Sequence, residues 1–397
     1  MKILVLNCGS SSVKYKLFNM TSKEVLAEGG VEKLGLSGSF LKFVGKDGKK
    51  VILEKDLPEH TAAVEFILSV LKDKEHGCIS SYDEIEAVGH RLVHGGEKFS
   101  KSVLITDEVI KQVEECIELA PLHNPPNIKG VDAIKALLPN VPQVGVFDTA
   151  FHQTMEPFAY MYALPYELYK KYGIRRYGFH GTSHRYVSQR ACEVLGLDIN
   201  KTKIITAHIG NGASIAAIKD GKVMDTSMGL TPTEGLIMGT RSGDVDPGAL
   251  AFLVEKLGLD GEGLSNLINK KSGVLGITEI SSDMREIEAA IEKNDEKAIL
   301  AMKMYDYRIK KYIGAYAAAM GGVDLLIFTG GVGENQWTTR EAVCEGLGFL
   351  GMEIDKDLNT NMRGKEMVIS KAGAKATIMV VPTDEEFMIA KDVQALV

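Results

Sequence analysis

The stretch MKILVLNCGSSSVKYKLF, residues 1–18, predicts how the chain begins to fold. An apolar run at 3–6 leads into a turn of small polar residues at 7–12, and apolar side chains then alternate over 13–17. This pattern is typical of a strand, a tight turn and a second strand. Gly9 lets a ligand approach the backbone, and the N–H groups and serine hydroxyls of the turn can bind anionic oxygens.

The same pattern returns in the second half of the chain, in KIITAHIGNGASIAAIKDGKVMDTSMG at 203–229. Apolar residues at 204–205 run into a glycine-rich turn at 210–212, and a second strand is predicted at 215–218. A single turn of this kind could be an ordinary hairpin connection. Two copies, one opening each half, instead predict two related domains that each offer a phosphate-contacting hairpin to a shared cleft.

A third glycine-rich segment, DLLIFTGGVGENQ, occupies residues 324–336. The apolar run at 325–328 predicts a buried strand, which leads into a glycine loop at 330–333 before a helix after Asn335. Glycines in such a loop allow a flat ligand to lie against the backbone.

Composition favours an enzyme of the cytoplasm. The chain has 397 residues, which is enough for two domains with cores of their own, and 45% of them are hydrophobic. A formal net charge of −7 argues against a nucleic-acid partner. Five cysteines without CxxC spacing indicate reduced thiols and not a disulfide framework. We expect neither a signal peptide nor a membrane span, because the amino-terminal apolar run at 3–6 is short and no run approaches the ~20 residues that a span needs.

Nine motifs together resemble the acetokinase family, which belongs to the acetate and sugar kinase, Hsp70 and actin superfamily. They span nearly the whole chain in the order of the family. The motifs are NCGSSSVK at Asn7–Lys14, GHRLVHGG at Gly89–Gly96, LAPLHNPPN at Leu119–Asn127, FDTAFH at Phe147–His152, RYGFHGTSH at Arg176–His184, HIGNGAS at His208–Ser214, DTSMGLTPTEGLIMGTRSGDVDPG at Asp225–Gly248, FTGGVGEN at Phe328–Asn335 and PTDEE at Pro382–Glu386.

The resemblance implies an α/β fold of duplicated actin-like (ribonuclease H-like) domains. Each would have a mixed central sheet flanked by helices, with a nucleotide cleft between the domains. Residues 1–150 plus 384–397 would form an acceptor-side domain closed by the carboxy-terminal helix. Residues 151–383 would form a nucleotide-binding and dimerisation domain, and a composition break at 148–165 is the candidate hinge.

Periodicity adds helices at 59–75, 106–119 and 285–320 and from Glu385, and strands at 85–88 and 144–147. Thr106 is a typical N-cap residue.

Two histidine pairs, His90 with His94 and His180 with His184, have the i, i+4 spacing of zinc ligands. No HExxH motif accompanies them, and Gly181 would weaken a helix there. Both pairs are therefore predicted to be loop residues.

The activity implied by the resemblance is phosphoryl transfer to a carboxyl group. ATP and acetate would give acetyl phosphate and ADP reversibly, by direct in-line transfer, with Mg²⁺ as cofactor and Mn²⁺ as an alternative. A carboxylate needs no general base, because it is already ionised at neutral pH. Catalysis should instead rest on positioning and charge neutralisation. Two alternatives stay open: a propionate kinase of the same family, and an Hsp70- or actin-like ATPase switch.

The resemblance also assigns the catalytic residues. Arg91 would bind the substrate carboxylate, and Arg241 would hold the transferring phosphoryl group together with it. His180 would donate to the equatorial oxygens. Asp148 would either orient the arginines or order the water shell of the metal. His123 would lie near the site or serve a structural role.

The metal would be bound at Asn7 and at Glu385, the first glutamate of PTDEE. Asp384 stands where the family usually has asparagine, which places an extra negative charge beside Glu385. Nucleotide contacts are expected from two phosphate-side turns and two base-side segments. The residues concerned are Ser10, Ser12, Lys14, His208, Ile209, Gly210, Asn211, Gly212, Asp283, Met284, Arg285, Gly331, Val332, Gly333, Glu334 and Asn335.

The substrate methyl group would occupy a small apolar pocket. Its lining would be Val93, Leu122, Phe179 and Pro232, with Arg91 at the carboxylate. The resemblance further implies a homodimer formed through the second domain. The apolar stretch Ile313–Met320 could serve that interface or could be internal core.

Overall fold

The computed structural model describes residues 1–397. The chain forms two compact units. The first unit comprises Met1–Gln153 and Asp384–Val397, and the second comprises Thr154–Thr383. The predicted boundary after residue 150 lies close to this division. No helix combines the length and the apolar composition that crossing a bilayer would require.

An eight-stranded mixed sheet forms the centre of the first unit. Its spatial order is β5-β4-β3-β2-β1-β6-β8-β7, and only the β1–β6 and β6–β8 pairs are parallel. The strands are β1 (Lys2–Cys8), β2 (Ser12–Asn19), β3 (Glu24–Glu32), β4 (Phe40–Gly45), β5 (Lys50–Glu54), β6 (Ala87–Leu92), β7 (Val103–Leu104) and β8 (Gln143–Phe147). The hairpin predicted from the first eighteen residues is therefore confirmed as β1 and β2.

Helices cover the sheet of the first unit on both faces. Helix α1 (His60–Leu71) and helix α3 (Asn124–Leu137) contribute to one core, and helix α2 (Asp107–Glu114) packs on α3. The Thr106 side chain accepts a hydrogen bond from the N–H of Val109, as predicted for an N-cap. The predictions for α1 and α2 extended too far, because the chain leaves the α-helix after Leu71 and after Glu114.

The carboxy-terminal helix, Glu385–Leu396, packs against β1, β6 and β8. Gly89 of β6 makes this packing possible. A Cβ atom there would lie 2.6 Å from Ile389 and 2.8 Å from Val393. The last residues of the chain thereby bury Ile3 and Val5 of the first strand.

The second unit contains six strands and eleven α-helices. The strands are β9 (Ile204–Ile209), β10 (Ala213–Lys219), β11 (Lys222–Thr226), β12 (Leu325–Thr329), β13 (Met367–Val368) and β14 (Thr377–Val380). The helices are α4 (Pro157–Tyr160), α5 (Tyr166–Tyr172), α6 (Gly181–Leu195), α7 (Pro247–Leu257), α8 (Gly261–Lys270), α9 (Gly273–Thr278), α10 (Met284–Glu292), α11 (Glu296–Met320), α12 (Gly330–Asn335), α13 (Trp337–Cys344) and α14 (Lys356–Asn359).

The two sheets share one topology. The second sheet runs β11-β10-β9-β12-β14-β13, and the first contains the matching series β3-β2-β1-β6-β8-β7. In each series a three-stranded antiparallel meander is followed by two parallel pairs and an antiparallel edge. The predicted duplication of an actin-like α/β domain is confirmed by this repeated order.

Three local predictions were wrong. The helix predicted over 285–320 is two helices, because Asp295 caps α11 by accepting a hydrogen bond from the N–H of Ala298. The glycine loop after β12 is itself the short helix α12. His184 lies within α6 and His90 within β6, so neither is a loop residue, and α6 begins at Gly181.

We expect Asp306→Asn to stabilise the fold in a pH-dependent way. Asp306 of α11 is half-buried beside Thr339, its Oδ1 has no hydrogen-bond partner, and desolvation raises its pKa to about 7. In the unfolded chain the pKa is about 4, so ionisation lowers the stability of the native protein as the pH rises from about 4 to 7. The variant should be more stable at pH 8 by about 1–2 kcal/mol.

Urea unfolding at pH 5 and pH 8 measures this effect. Asp132→Asn, at an exposed position of α3, is the matched control. Equal gains for Asp306→Asn at the two pH values would contradict the assignment.

Candidate active site

In the first unit, charged groups gather where the parallel strands end. Arg91 lies near the end of β6, Asp148 follows β8 directly, and Asn7 lies near the end of β1. Because the carboxyl ends of neighbouring parallel strands meet at the same edge of a sheet, the three side chains are brought together. Nε and Nη2 of Arg91 donate to the Asp148 carboxylate at 3.0 and 2.6 Å, and Nη1 donates to Oδ1 of Asn7 at 3.3 Å.

This ion pair fixes the Arg91 guanidinium in one orientation. Asp148 is 1% exposed, and its carboxylate raises the pKa of Arg91 further above its ordinary value. A bidentate arginine–carboxylate pair constrains direction as well as distance. The side chain of Arg91 remains 27% exposed, so the anchored guanidinium can still meet a ligand.

Glu385, at the start of the carboxy-terminal helix, differs from the neighbouring carboxylates of Asp384 and Glu386 in having no ion-pair partner. Asp384 accepts a hydrogen bond from the N–H of Phe387, and Asp384 and Glu386 lie 3.7 and 3.6 Å from Nζ of Lys16. Glu385 makes no ion pair within 4 Å. Desolvation raises its pKa to about 7, against the opposing field of Arg91. Lys16 therefore offsets the extra charge of Asp384 and leaves Glu385 to other partners.

The oxygen donors of Asn7 and Glu385 are of the type that Mg²⁺ prefers. No group of three or more histidine, cysteine, aspartate or glutamate side chains in the chain is arranged to hold a metal ion. Mg²⁺ usually keeps several waters and binds through one or two carboxylates plus substrate phosphates.

Two asparagines that the sequence analysis missed anchor this site. Asn127 of α3 donates to the carbonyl oxygen of Cys8 at 2.7 Å and accepts from the N–H of Val93 at 2.9 Å. Asn124 accepts from the N–H of His94 and donates to its carbonyl oxygen. The only sequence feature that could have indicated these two asparagines is their position in HNPPN, residues 123–127.

The other predicted residues of the first unit differ in exposure. Val93 is 6% exposed, whereas Leu122 is 71% exposed and His123 is exposed just before α3. Ser10 and Lys14 are exposed around the first hairpin turn, and Ser12 is half-buried.

In the second unit, Arg241 and His180 converge on the turn between β9 and β10. A Cβ atom added to Gly212 would lie 3.2 Å from Nη1 of Arg241 and 3.6 Å from Nε2 of His180. The hydrogen bonds of Arg241 go to two neutral groups, the carbonyl oxygen of Pro232 and the thioether of Met238, and burial lowers its pKa. A half-buried guanidinium without a carboxylate partner is suited to bind an anion.

A cavity of about 590 Å³ lies next to this turn in the second unit. Eight predicted nucleotide residues line it: Gly210, Asn211, Asp283, Met284, Arg285, Gly331, Val332 and Asn335. Five residues that were not predicted as nucleotide contacts complete the lining: Gly239, Ser282, Glu288, Gln336 and Arg363. A cavity of this size with mixed polar and apolar walls can hold a nucleotide.

Five predicted nucleotide residues of the second unit do not line the cavity. They are His208, Ile209, Gly212, Gly333 and Glu334. Ile209 is fully buried, and the Glu334 carboxylate accepts hydrogen bonds from the N–H groups of Gly330 and Thr383. Glu334 thus holds the start of α12 in place.

Gly330 is required at that start. Its φ is +78°, and a Cβ atom would lie within 3.0 Å of the Ile209 backbone. Backbone of α12 therefore packs directly on the end of β9, beside the cavity.

Comparison with known proteins agrees with this architecture. The sequence model of the Acetokinase family matches residues 2–391. The chain belongs to the acetokinase family. It is 71% identical to the acetate kinase of Porphyromonas gingivalis over 396 residues, which covers 100% of both chains.

Two solved structures extend the comparison. The crystal structure of Porphyromonas gingivalis acetate kinase matches with a TM-score of 0.97 at 71% identity, over 100% of this chain and 99% of the other. A propionate kinase from Francisella tularensis matches with a TM-score of 0.92 at 42% identity, over 100% of both chains. The resemblance found in the sequence motifs is confirmed at the level of the family.

Removing the Asn127 amide should destabilise the first unit. Asn127→Ala leaves the Cys8 carbonyl and the Val93 N–H buried without their partners, which should cost about 2–4 kcal/mol. Urea unfolding measures the loss. Asn140→Ala, at an exposed position, is the control. A loss no larger than that of the control would show that Asn127 does not anchor these two segments.

Proposed function

We propose that this chain is an acetate kinase, which transfers a phosphoryl group from ATP to acetate and forms acetyl phosphate and ADP reversibly. The observation that carries the proposal is the 71% identity to an acetate kinase over the full length of both chains. The local geometry supports it, because an unpaired arginine and a histidine face one turn beside a nucleotide-sized cavity.

The chemistry follows from the charges of the reactants. Acetate is ionised at neutral pH and needs no general base. The barrier is the approach of one anion to another, so catalysis requires neutralisation and in-line positioning. We assign Arg91 to the acetate carboxylate and Arg241 and His180 to the transferring phosphoryl group. The bidentate contact of Asp148 with Arg91 favours an orienting role for Asp148.

We assign Asn7 and Glu385 to Mg²⁺, with Mn²⁺ as an alternative. When bound, the ion would supply positive charge to the phosphate oxygens of the nucleotide. Lys16 holds the neighbouring carboxylates of Asp384 and Glu386, so Glu385 keeps its oxygens for the ion. A cytoplasmic location is proposed because all five cysteines are free thiols.

Acyl phosphate formation tests the proposal. ATP, Mg²⁺ and one of acetate, propionate or butyrate are incubated with the protein, and the product is trapped as the hydroxamate. Rates should fall in the order acetate, propionate, butyrate. Highest activity with propionate would instead indicate a propionate kinase, which is the activity named for the Francisella tularensis relative. ATP hydrolysis without acyl phosphate from any acid would refute the kinase proposal and favour an ATPase switch.

Arg241→Ala should lower kcat by about 10²–10³-fold while the KM for ATP changes little. The expected split arises because an unpaired guanidinium contributes most where charge develops in the transition state. Arg241→Lys should recover only part of the rate, because it lacks the planar fork. A variant with unchanged kcat and a raised KM for acetate would make Arg241 a ground-state binding residue.

Val93→Ala should raise kcat/KM for propionate relative to acetate by about 10-fold. Val93 is buried two residues after Arg91, and Asn127 fixes its backbone N–H, so its side chain is held near the proposed carboxylate site. The hydroxamate assay with both acids measures the ratio. Val109→Ala on α2 is the control, and an unchanged ratio for Val93→Ala would refute this role.

We also propose that the protein is a homodimer. In the apolar helix α7 no residue is buried within the chain, and Phe252 and Leu257 are 62% and 57% exposed. An apolar helix left uncovered in this way is typical of an association surface. The stretch Ile313–Met320 offers less support, because Ile313, Tyr316 and Met320 are buried in the second unit.

Phe252→Glu should convert the dimer to a monomer, because it places a charge in the proposed interface. Light scattering after gel filtration measures the mass. Leu36→Glu, which changes an equally exposed residue of the first unit, should leave the mass unchanged. A wild-type protein with the mass of a monomer, or a dimeric Phe252→Glu variant, would contradict this surface.

A further inference from the structure

A buried hydrogen-bond chain ends on the ring of His180. Oγ1 of Thr206 lies 2.7 Å from Nδ1 of His184, and Nε2 of His184 lies 2.8 Å from Oγ of Ser214. The same Ser214 oxygen lies 2.9 Å from Nδ1 of His180. Thr206, His184 and Ser214 are all fully buried, in β9, α6 and β10.

The hydrogens of this chain can be ordered in two directions. A neutral imidazole has one donor and one acceptor nitrogen, and each hydroxyl has one hydrogen. In the first order Thr206 donates to His184, His184 donates to Ser214, and Ser214 donates to Nδ1 of His180. In the second order every donation is reversed, beginning with Nδ1–H of His180.

Burial selects the first order. In the second order the Thr206 hydroxyl becomes an acceptor, and its hydrogen has no acceptor among the contacts of this fully buried side chain. An unsatisfied buried donor is unfavourable. In the first order all three donors are used, and the proton of His180 resides on Nε2, the atom that faces Gly212.

Two further groups lie beside His180. The Arg241 guanidinium faces the same turn. The ring of His208 stacks on His180 with centroids 4.2 Å apart. His208 is held in turn through Ser183, whose Oγ lies 2.7 Å from Nδ1 of His208.

The backbone of His180 is also unusual. Its φ is +55°, in the left-handed region that residues other than glycine rarely adopt, and it is the N-cap residue of α6. Such a conformation persists where surrounding contacts determine it, and it is frequent at functional sites. Backbone and ring are therefore both constrained to present Nε2 in one direction.

We propose that His184 and Ser214 are positioning residues that hold His180 as the Nε2–H tautomer, so that this N–H donates to an oxygen of the transferring phosphoryl group. The role of this N–H as a donor to the phosphoryl group rests on the proposed kinase function. The assignment of the tautomer is independent of that function, because it follows from the geometry of the second unit alone.

Nitrogen-15 NMR of the histidine side chains tests the tautomer without any substrate. The His180 signals are assigned by their loss in His180→Gln. The wild type should show neutral His180 protonated at Nε2, and Ser214→Ala should shift the population toward Nδ1–H. Neutral wild-type His180 protonated at Nδ1, an imidazolium at the assay pH, or an unchanged tautomer in Ser214→Ala would each overturn the proposal.

Kinetics test the consequence. Ser214→Ala should lower kcat by about 10- to 100-fold with KM values for ATP and acetate nearly unchanged. His184→Gln, which keeps a donor toward Ser214, should retain more activity than His184→Leu. Unchanged kcat in a variant whose tautomer has shifted would overturn the positioning role.

Thr206 offers a matched pair at the far end of the chain. Thr206→Val removes the hydroxyl at constant shape, and Thr206→Ser keeps it. Only Thr206→Val should alter the tautomer of His180 and lower kcat. If the two variants have the same tautomer and the same kcat, the proposal is overturned. This comparison decides the question even if Ser214→Ala fails to fold. If the wild type forms no acyl phosphate, the kinase proposal fails, whereas the NMR result still decides the tautomer.

Discussion

The pairing of one central strand with two different neighbours organises each unit. β1 pairs antiparallel with β2 through a tight turn and parallel with β6 through a crossover, and β9 pairs in the same way with β10 and β12. The antiparallel side places a polar turn at the end of the central strand. The parallel side brings further strand ends to the same edge. Functional groups that are distant in sequence consequently become neighbours.

The arginines at these sheet edges have different hydrogen-bond partners in the two units. Arg91 is anchored by the buried Asp148 carboxylate, so its direction is set before any ligand arrives. The hydrogen bonds of Arg241 go to neutral groups, and burial lowers its pKa. A paired guanidinium is suited to orient a small carboxylate, and an unpaired one gains most from an anion whose charge increases during reaction.

Buried hydrogen bonds fix the segments on which each of the two sites is built. Asn127 joins the first hairpin turn to the segment after β6, and Glu334 joins the start of α12 to Thr383. The hydrogen-bond chain that runs from Thr206 to His180 fixes the orientation of the His180 imidazole. Each network satisfies groups that burial would otherwise leave unpaired, so that one arrangement of the site is favoured.

The sequence by itself determined the elements whose signal is local. The two hairpins, the buried strand β12, the Thr106 cap and the helix from Glu385 follow from short-range periodicity and capping. The motifs also predicted Arg91, Asp148, His180 and Arg241 as catalytic residues. The structure pairs Asp148 with Arg91 in the first unit and places Arg241 and His180 at one turn of the second. Only the tertiary structure decided that Glu334 connects the start of α12 to Thr383, and that Asn127 connects Cys8 to Val93. Both outcomes depend on hydrogen-bond partners contributed by residues far away in sequence, and a side chain's own neighbours in the chain do not specify such partners.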